Sequence, residues 1–468
     1  MLKRRSCLLG LVATALGCIG LLTLILFPQS SEWDWTYHDV PSSWPAWDSP
    51  YPDDVTLEVS PLDALADTLL RVRVTGLRPG QHIALRLWTE DRDGLRWEFG
   101  GVWQADAQGV VDAPAKAPVE ASAPLPDGDG LLSALRPVAS VSHPFFRPAK
   151  PYTVHVQVEA EGRVLAEARA VRRHLATGVT CLELHEEQVG VYCRPEGEGP
   201  FPAVLVLGGS EGGVPREVAS WWASHGVAAL GLAYFGEASL PRSLVEIPLE
   251  YFLAAVDALR DRPEVDPTRV LVWGASRGSE AALLTAAYHP DVAGVIAIAP
   301  SSVVWSGLDF SQGPRSAWTY DGKPLPFLST ALSMDMLRMM AGVPVSLRDE
   351  FEHSLDGASP EAFIPVERVR GPVLLIAGSD DRLWPSDRFI DQIVARLNAQ
   401  AFPYPVETVI VEGAGHTATL YEEPQPYIVE RIVLGGTLED NLRLSRRARQ
   451  AMLDFMNQLI RRSPDERD

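Results

Sequence analysis

Six short runs almost without polar residues, each followed by a stretch of helical character, constrain this chain most: AVLVLGG (203–209), VAALGLAYF (227–235), VLVWGAS (270–276), VAGVIAIAPSS (292–302), VLLIAGSDD (373–381) and ETVIVEGAGH (407–416). A strand wetted on one face alternates apolar with polar; a run without alternation belongs to a strand covered on both faces, and the helices between runs supply the cover. From about residue 176 to 468 the expectation is therefore an α/β domain on a mostly parallel sheet with flanking helices, closed by a helix at about 437–462. Residues 301–365 are the longest interruption between two such strands, the place for a lid or a pocket wall.

Residues 55–175 follow a different period. Runs such as VTLEVSP, LLRVRVTGL and HIALRLWTE alternate in steps of two and break at Gly, Pro and Asp, which predicts an antiparallel, immunoglobulin-like β-sandwich. Before it, 28–54 is rich in Pro, Ser, Trp and Tyr and reads as a stem. Lys3, Arg4 and Arg5 precede an uncharged span at 7–27, long enough to cross a hydrocarbon core. Residues 1–27 are thus expected to form a transmembrane helix, with a cleaved signal or a lipidated Cys18 as the alternatives, and the positive flank places the catalytic domain outside the cytoplasm, anchored to the membrane by a single pass. Cys181 and Cys193 sit in two strand-like runs joined by a short turn, as a cross-strand disulfide or as two buried thiols. A net charge of −20 excludes nucleic acid as a partner, which would require a cationic face.

The chemistry turns on a duplication. G-x-S-x-G is spelled twice, by GASRG around Ser276 and by GGSEG around Ser210. A nucleophile elbow needs a strand, a tight turn and a helix in immediate succession. VLVW, Gly274 to Gly278 and SEAALLTAAY meet that order, whereas GGSEGGVPRE continues into Gly and Pro and builds a loop first. Ser276 is therefore the candidate nucleophile. The backbone N–H groups of Arg277 and of Ser210 or Glu211 are the candidate oxyanion donors. Asp380 and Asp381 follow one apolar run and His416 the next, so that acid and base come in the order Ser, Asp, His of α/β-hydrolases. Asp381, four residues before Pro385, is favoured as the acid, with Asp380 as the alternative. A serine hydroxyl is a weak nucleophile until an imidazole takes its proton, and a carboxylate must hold that imidazole in the right tautomer. No metal-ligand cluster or phosphate-cradling loop occurs, so neither cofactor nor metal is expected.

The ordered set GLRPGQHIALRLWTEDRDG, DGLLSALRP, GPFPAVLVLGGSEGG, IPLEYFLAAVDAL, GASRGSEAALL, FIPVERVRGPVLLIAGSDDRLWPS and GAGH resembles the acyl-CoA thioesterase and bile acid-CoA:amino acid N-acyltransferase family over about 55–462. The resemblance implies Ser276 as nucleophile, Asp381 as acid and His416 as base. Amino-acid-conjugating members of that family carry cysteine at the nucleophile position, so serine here implies hydrolysis of an acyl thioester or ester through an acyl-enzyme. Transfer of the acyl group to an amine or alcohol is the alternative, and a noncatalytic surface-binding role a remote one.

Overall fold

Period-two alternation becomes two β layers between Thr56 and Arg173 in the computed structural model, which describes residues 54–461 apart from 124, 126–129, 140–145, 238, 310–312, 331–332, 425–427 and 430–431. One sheet has three strands, Thr56–Ser60, Arg71–Thr75 and Val111–Asp112. The larger one runs in spatial order Asp63–Leu65, Arg163–Arg173, Tyr152–Ala160, His82–Glu90, Arg96–Gln104, Glu120–Ala121. Ile83, Leu85 and Leu87 of one long strand and Val154, Val156 and Val158 of its antiparallel neighbour point inward at every second position and are buried. The expected anchor at 1–27, and the stem up to residue 53, lie outside the described residues.

The apolar runs form an eight-stranded sheet: β1 (Thr180–His185), β2 (Val189–Arg194), β3 (Phe201–Leu207), β4 (Ala228–Leu232), β5 (Val265–Ala275), β6 (Gly294–Ile298), β7 (Val373–Gly378) and β8 (Val406–Val411), in spatial order β1-β2-β4-β3-β5-β6-β7-β8. Pairing is parallel from β4 to β8, while β1 with β2 and β2 with β4 pair antiparallel. Helices α1 (Arg216–Ser224), α2 (Leu249–Arg260), α3 (Arg277–Tyr288), α6 (Ser386–Ala399) and α7 (Leu438–Arg461) join or flank the strands; α4 (Met334–Met340) and α5 (Arg348–Leu355) lie in the 301–365 insertion. Central β3, β6 and β7 carry almost unbroken buried runs, the packing reason their sequences do not alternate. Cys181 and Cys193 face each other across β1 and β2 and are joined in a disulfide.

The two layered regions meet at a half-buried ionisable pair. Asp67 accepts a hydrogen bond from Trp221 Nε1 (2.8 Å) and faces His225 Nε2 (3.1 Å), while His225 Nδ1 faces the Trp221 carbonyl (2.8 Å). Burial alone would lower His225 below 6.5, but the bonds to Asp67 and to the Trp221 carbonyl outweigh it and raise it. Burial alone would raise Asp67 above 3.8, but its hydrogen bonds to His225 and Trp221 and the neighbouring positive charge lower it. A raised histidine stabilises fully below its unfolded value and loses that contribution as pH climbs through its folded value; a lowered carboxylate does the reverse on the acid side. Both contributions are therefore present between pH 3.8 and 6.5. Urea midpoints of wild type and Asp67→Asn are expected to differ most inside that window and to draw closer at alkaline pH, where the histidine's contribution is lost and the carboxylate's remains. A gap that does not change with pH would rule out an ionised pair.

Candidate active site

Strand β5 ends at Ala275 and α3 begins at Arg277, which leaves Ser276 alone at the junction with φ 53° and ψ −123°. That left-handed backbone is strained for a residue with a side chain, and persists only where the surroundings hold it. Here Ser276 N donates to the Ile298 carbonyl of β6 (2.9 Å), and the Ser276 carbonyl accepts from Ser279 N (2.9 Å) and Ser279 Oγ (2.6 Å). The flanking glycines are required by close approach: a side chain at Gly274 would strike the Gly278 carbonyl, and one at Gly278 would strike the Leu207 and Gly208 carbonyls. A serine before a helix ordinarily caps it by accepting an N–H from the first turn. Ser276 makes no such bond, so its hydroxyl is not used in holding the helix.

The acid and base come from the ends of β7 and β8, the two parallel strands beyond β6. Asp381, fully buried after β7, accepts four hydrogen bonds: from Leu383 N (2.9 Å), Trp384 N (3.2 Å), Ser386 Oγ (2.6 Å) and His416 Nδ1 (2.8 Å). His416 follows β8; its backbone N–H is held by the Leu434 carbonyl (2.8 Å), Trp384 stands edge-on to its ring, and the preceding Gly415 N donates to Asn441 Oδ1 of α7 (2.7 Å). Asp380, by contrast, is partly exposed and pairs with Arg382 (2.6 Å) while accepting from Gly436 N (3.1 Å). The carboxylate against the imidazole is thus Asp381. No hydrogen bond joins Ser276 Oγ to His416 among the described residues; such bonds often tighten only when substrate is bound.

Ser276, Arg277 and Ser210 line one cavity of about 270 Å³, together with Trp305, Leu308, Met336, Met339 and Phe351 of the insertion. Glu211 is not in its wall; its carboxylate turns back to accept from Gly209 N (2.8 Å). Elsewhere in the insertion, Trp318 is buried in the core, Met334 is exposed and Phe310 lies outside the described residues. Sequence reasoning missed three supporting groups. Tyr234 donates to the Gly208 carbonyl (2.5 Å) and braces the GGSEGG loop, and burial keeps its phenol protonated well above the ordinary range. Ser386 and Glu280 are the other two; Glu280 lies inside the helix start GSEAALL, where no local pattern marks it as buried. A larger hollow of about 570 Å³, lined by Lys150, His174, Cys181, Cys193 and Arg216 among others, includes none of Ser276, Asp381 and His416. Among the described residues no group of His, Cys, Asp and Glu is arranged to hold a metal ion.

Comparison with known proteins decides the family. The acyl-CoA thioester hydrolase/BAAT N-terminal region matches residues 67–186, and the BAAT/acyl-CoA thioester hydrolase C-terminal region matches 247–438, together more than half of the chain. The chain belongs to the BAAT/acyl-CoA thioester hydrolase family. Mouse (Mus musculus) peroxisomal succinyl-coenzyme A thioesterase is 30% identical over 387 residues, covering 80% of this chain and 86% of that protein. Human (Homo sapiens) mitochondrial acyl-coenzyme A thioesterase 2 is 28% identical over 368 residues, covering 77% and 73%. This family member is an enzyme, as its relatives are. A solved dienelactone hydrolase-like promiscuous phosphotriesterase from metagenomic libraries matches 60% of this chain and 99% of its own at 17% identity and a TM-score of 0.38, too loose a likeness to carry an argument.

The same comparison corrects the expected location. Relatives carry peroxisomal and mitochondrial names, against the membrane-anchored, extracytoplasmic placement inferred from Lys3, Arg4 and Arg5. Among the described residues no helix is long and apolar enough to cross a membrane. The longest, α7, carries charge along its length and is apolar on one face only. A charge-bias argument orients a segment only if that segment spans, and 1–27 lies outside the described residues.

Proposed function

We propose that this family member hydrolyses an acyl-CoA-type thioester through an acyl-enzyme on Ser276, with His416 as base, Asp381 as its orienting acid and the N–H groups of Arg277 and Ser210 as oxyanion donors. The observation that carries the reading is the combination at the carboxyl ends of the parallel strands: a serine strained at a strand–helix junction without capping its helix, and, after β7 and β8, a buried carboxylate bonded to an imidazole. His416 Nε2 takes the Ser276 proton as Oγ attacks the thioester carbonyl, the oxyanion forms at the donors, and the thiolate leaves with that proton. Water, deprotonated by the same imidazole, then releases the acid. Asp381 holds Nδ1 protonated and stabilises the imidazolium without taking its proton.

In this reading residues 55–175 form an immunoglobulin-like sandwich, 176–468 the catalytic domain and 301–365 the acyl-binding wall. Serine at position 276 favours hydrolysis over acyl transfer. The test is an activity profile of the purified protein against acyl-CoA thioesters and simple esters, with and without an added amine acceptor. Release of free thiol and carboxylic acid is expected with every acceptor. Amide formation outrunning acid release would replace hydrolysis with transfer, and no turnover of any thioester would end the reading.

A further inference from the structure

The residue next to the nucleophile does more than supply a backbone N–H. Arg277 is buried, and its Nη2 donates to the Ser306 carbonyl (3.0 Å) and reaches the Trp305 carbonyl (3.5 Å). Its Nη1 stands 3.1 Å from Glu280 Oε2, an ion-pair distance without hydrogen-bond geometry. Glu280 is fully buried one turn along α3, and its other oxygen accepts from Trp305 N (3.0 Å) and Trp318 Nε1 (2.6 Å). Both peptide groups of Trp305 are therefore held by one ion pair rooted in the first turn of the nucleophile's helix. Trp305, Ser306 and Leu308 are in the wall of the cavity that contains Ser276.

We propose that Arg277 and Glu280 are specificity-determining positioning residues, a clamp that sets the Trp305–Leu308 wall against the acyl chain of the substrate. The inference rests on the hydrolase reading of Ser276 and names which side chains shape its acyl site. The tryptophan ring has separate support, from Ser301 Oγ (2.9 Å) and the edge-on ring of Phe351, and main-chain bonds tie the wall to other loops: Ala317 N to the Trp305 carbonyl (3.2 Å), Ser306 N to the Leu328 carbonyl (2.7 Å) and Leu308 N to the Leu244 carbonyl (2.8 Å); the ion pair is what ties it to the nucleophile's helix. An ion pair kept only for stability is replaceable: apolar residues of similar volume in place of a buried pair are often neutral or better, whereas removing one partner strands a charge. The clamp requires the opposite of indifference in substrate choice.

The test compares Arg277→Lys, Glu280→Gln and the double variant Arg277→Met with Glu280→Leu, first by thermal unfolding and then by kcat and KM over a homologous series of straight-chain acyl thioesters. The double variant is expected to unfold near the wild-type midpoint and yet to flatten the ratio of long-chain to short-chain kcat/KM by about tenfold, the size of a misplaced methylene contact in an apolar pocket. The ratio is the readout rather than the absolute rate, because Arg277 also supplies a proposed oxyanion N–H and its replacement is free to slow every chain length alike; the change in the ratio is expected chiefly in long-chain KM. Arg277→Lys keeps the charge but loses the two-pronged guanidinium, and is expected to fall between wild type and the double variant. A folded double variant with the wild-type ratio overturns the clamp while leaving Ser276-dependent hydrolysis standing. Absence of Ser276-dependent thioester cleavage in the unmutated protein overturns the reading beneath it. If the singles fail to fold, the double variant decides; if it too unfolds well below wild type, the pair is structural and the proposal fails.

Discussion

Ser276→Ala lowers kcat by on the order of 10⁴-fold or more, with the thermal midpoint unchanged. The expectation follows from how little the hydroxyl does for the fold: it caps no helix turn, and the backbone around it is held by Ile298 and Ser279 through main-chain groups that alanine retains. The residual rate above water would come from binding and the oxyanion donors. Ser210→Ala is expected to stay within about tenfold of wild type, because the proposed contribution of Ser210 is its N–H. Single-turnover release of thiol from an acyl thioester measures both. Comparable losses at the two serines would mean that the elbow at 276 and the loop at 210 have been given the wrong roles.

Asp381→Asn is expected to cost a similar order, about 10⁴-fold in kcat, since an amide in that place favours the wrong imidazole tautomer and offers no charge to the imidazolium. Asparagine is the informative replacement. Alanine would also strand the Leu383 and Trp384 N–H groups and the Ser386 hydroxyl that now point at the carboxylate. Asp380→Asn is the control one residue away; its ion pair with Arg382 is partly exposed and worth no more than about 1 kcal/mol, so the rate should stay within about fivefold. If Asp380→Asn were the damaging change and Asp381→Asn the mild one, the buried hydrogen bond to His416 would not be the one that catalysis uses.

The strands were legible because burial on both faces writes itself as an unbroken apolar run, and the turn at Gly274–Gly278 because close backbone approach leaves no room for a Cβ. Those two signals are local, and they carry the sheet, the elbow and the order of Ser276, Asp381 and His416. The amino-terminal argument was of another kind: length and charge describe what 7–27 could do in a membrane, and relatives named for peroxisome and mitochondrion point elsewhere.

What only the tertiary structure decided is how groups distant in sequence are shared out. Asp380 and Asp381 are adjacent and chemically identical, and which one meets the imidazole depends on the turn after β7 and on Leu383, Trp384 and Ser386 closing around it. Glu211 and Glu280 are both acidic residues beside glycine-rich turns, yet one folds back on its own loop while the other is buried beneath the wall of the cavity. By itself the sequence determined the run of strands and the chemical types at their ends, because periodicity and backbone clearance act over a few residues. The partners of those end groups are set by packing between elements distant in sequence, as when Trp273 of β5 meets Met452 of α7, 179 residues away, and no local pattern encodes which of two neighbouring side chains turns inward.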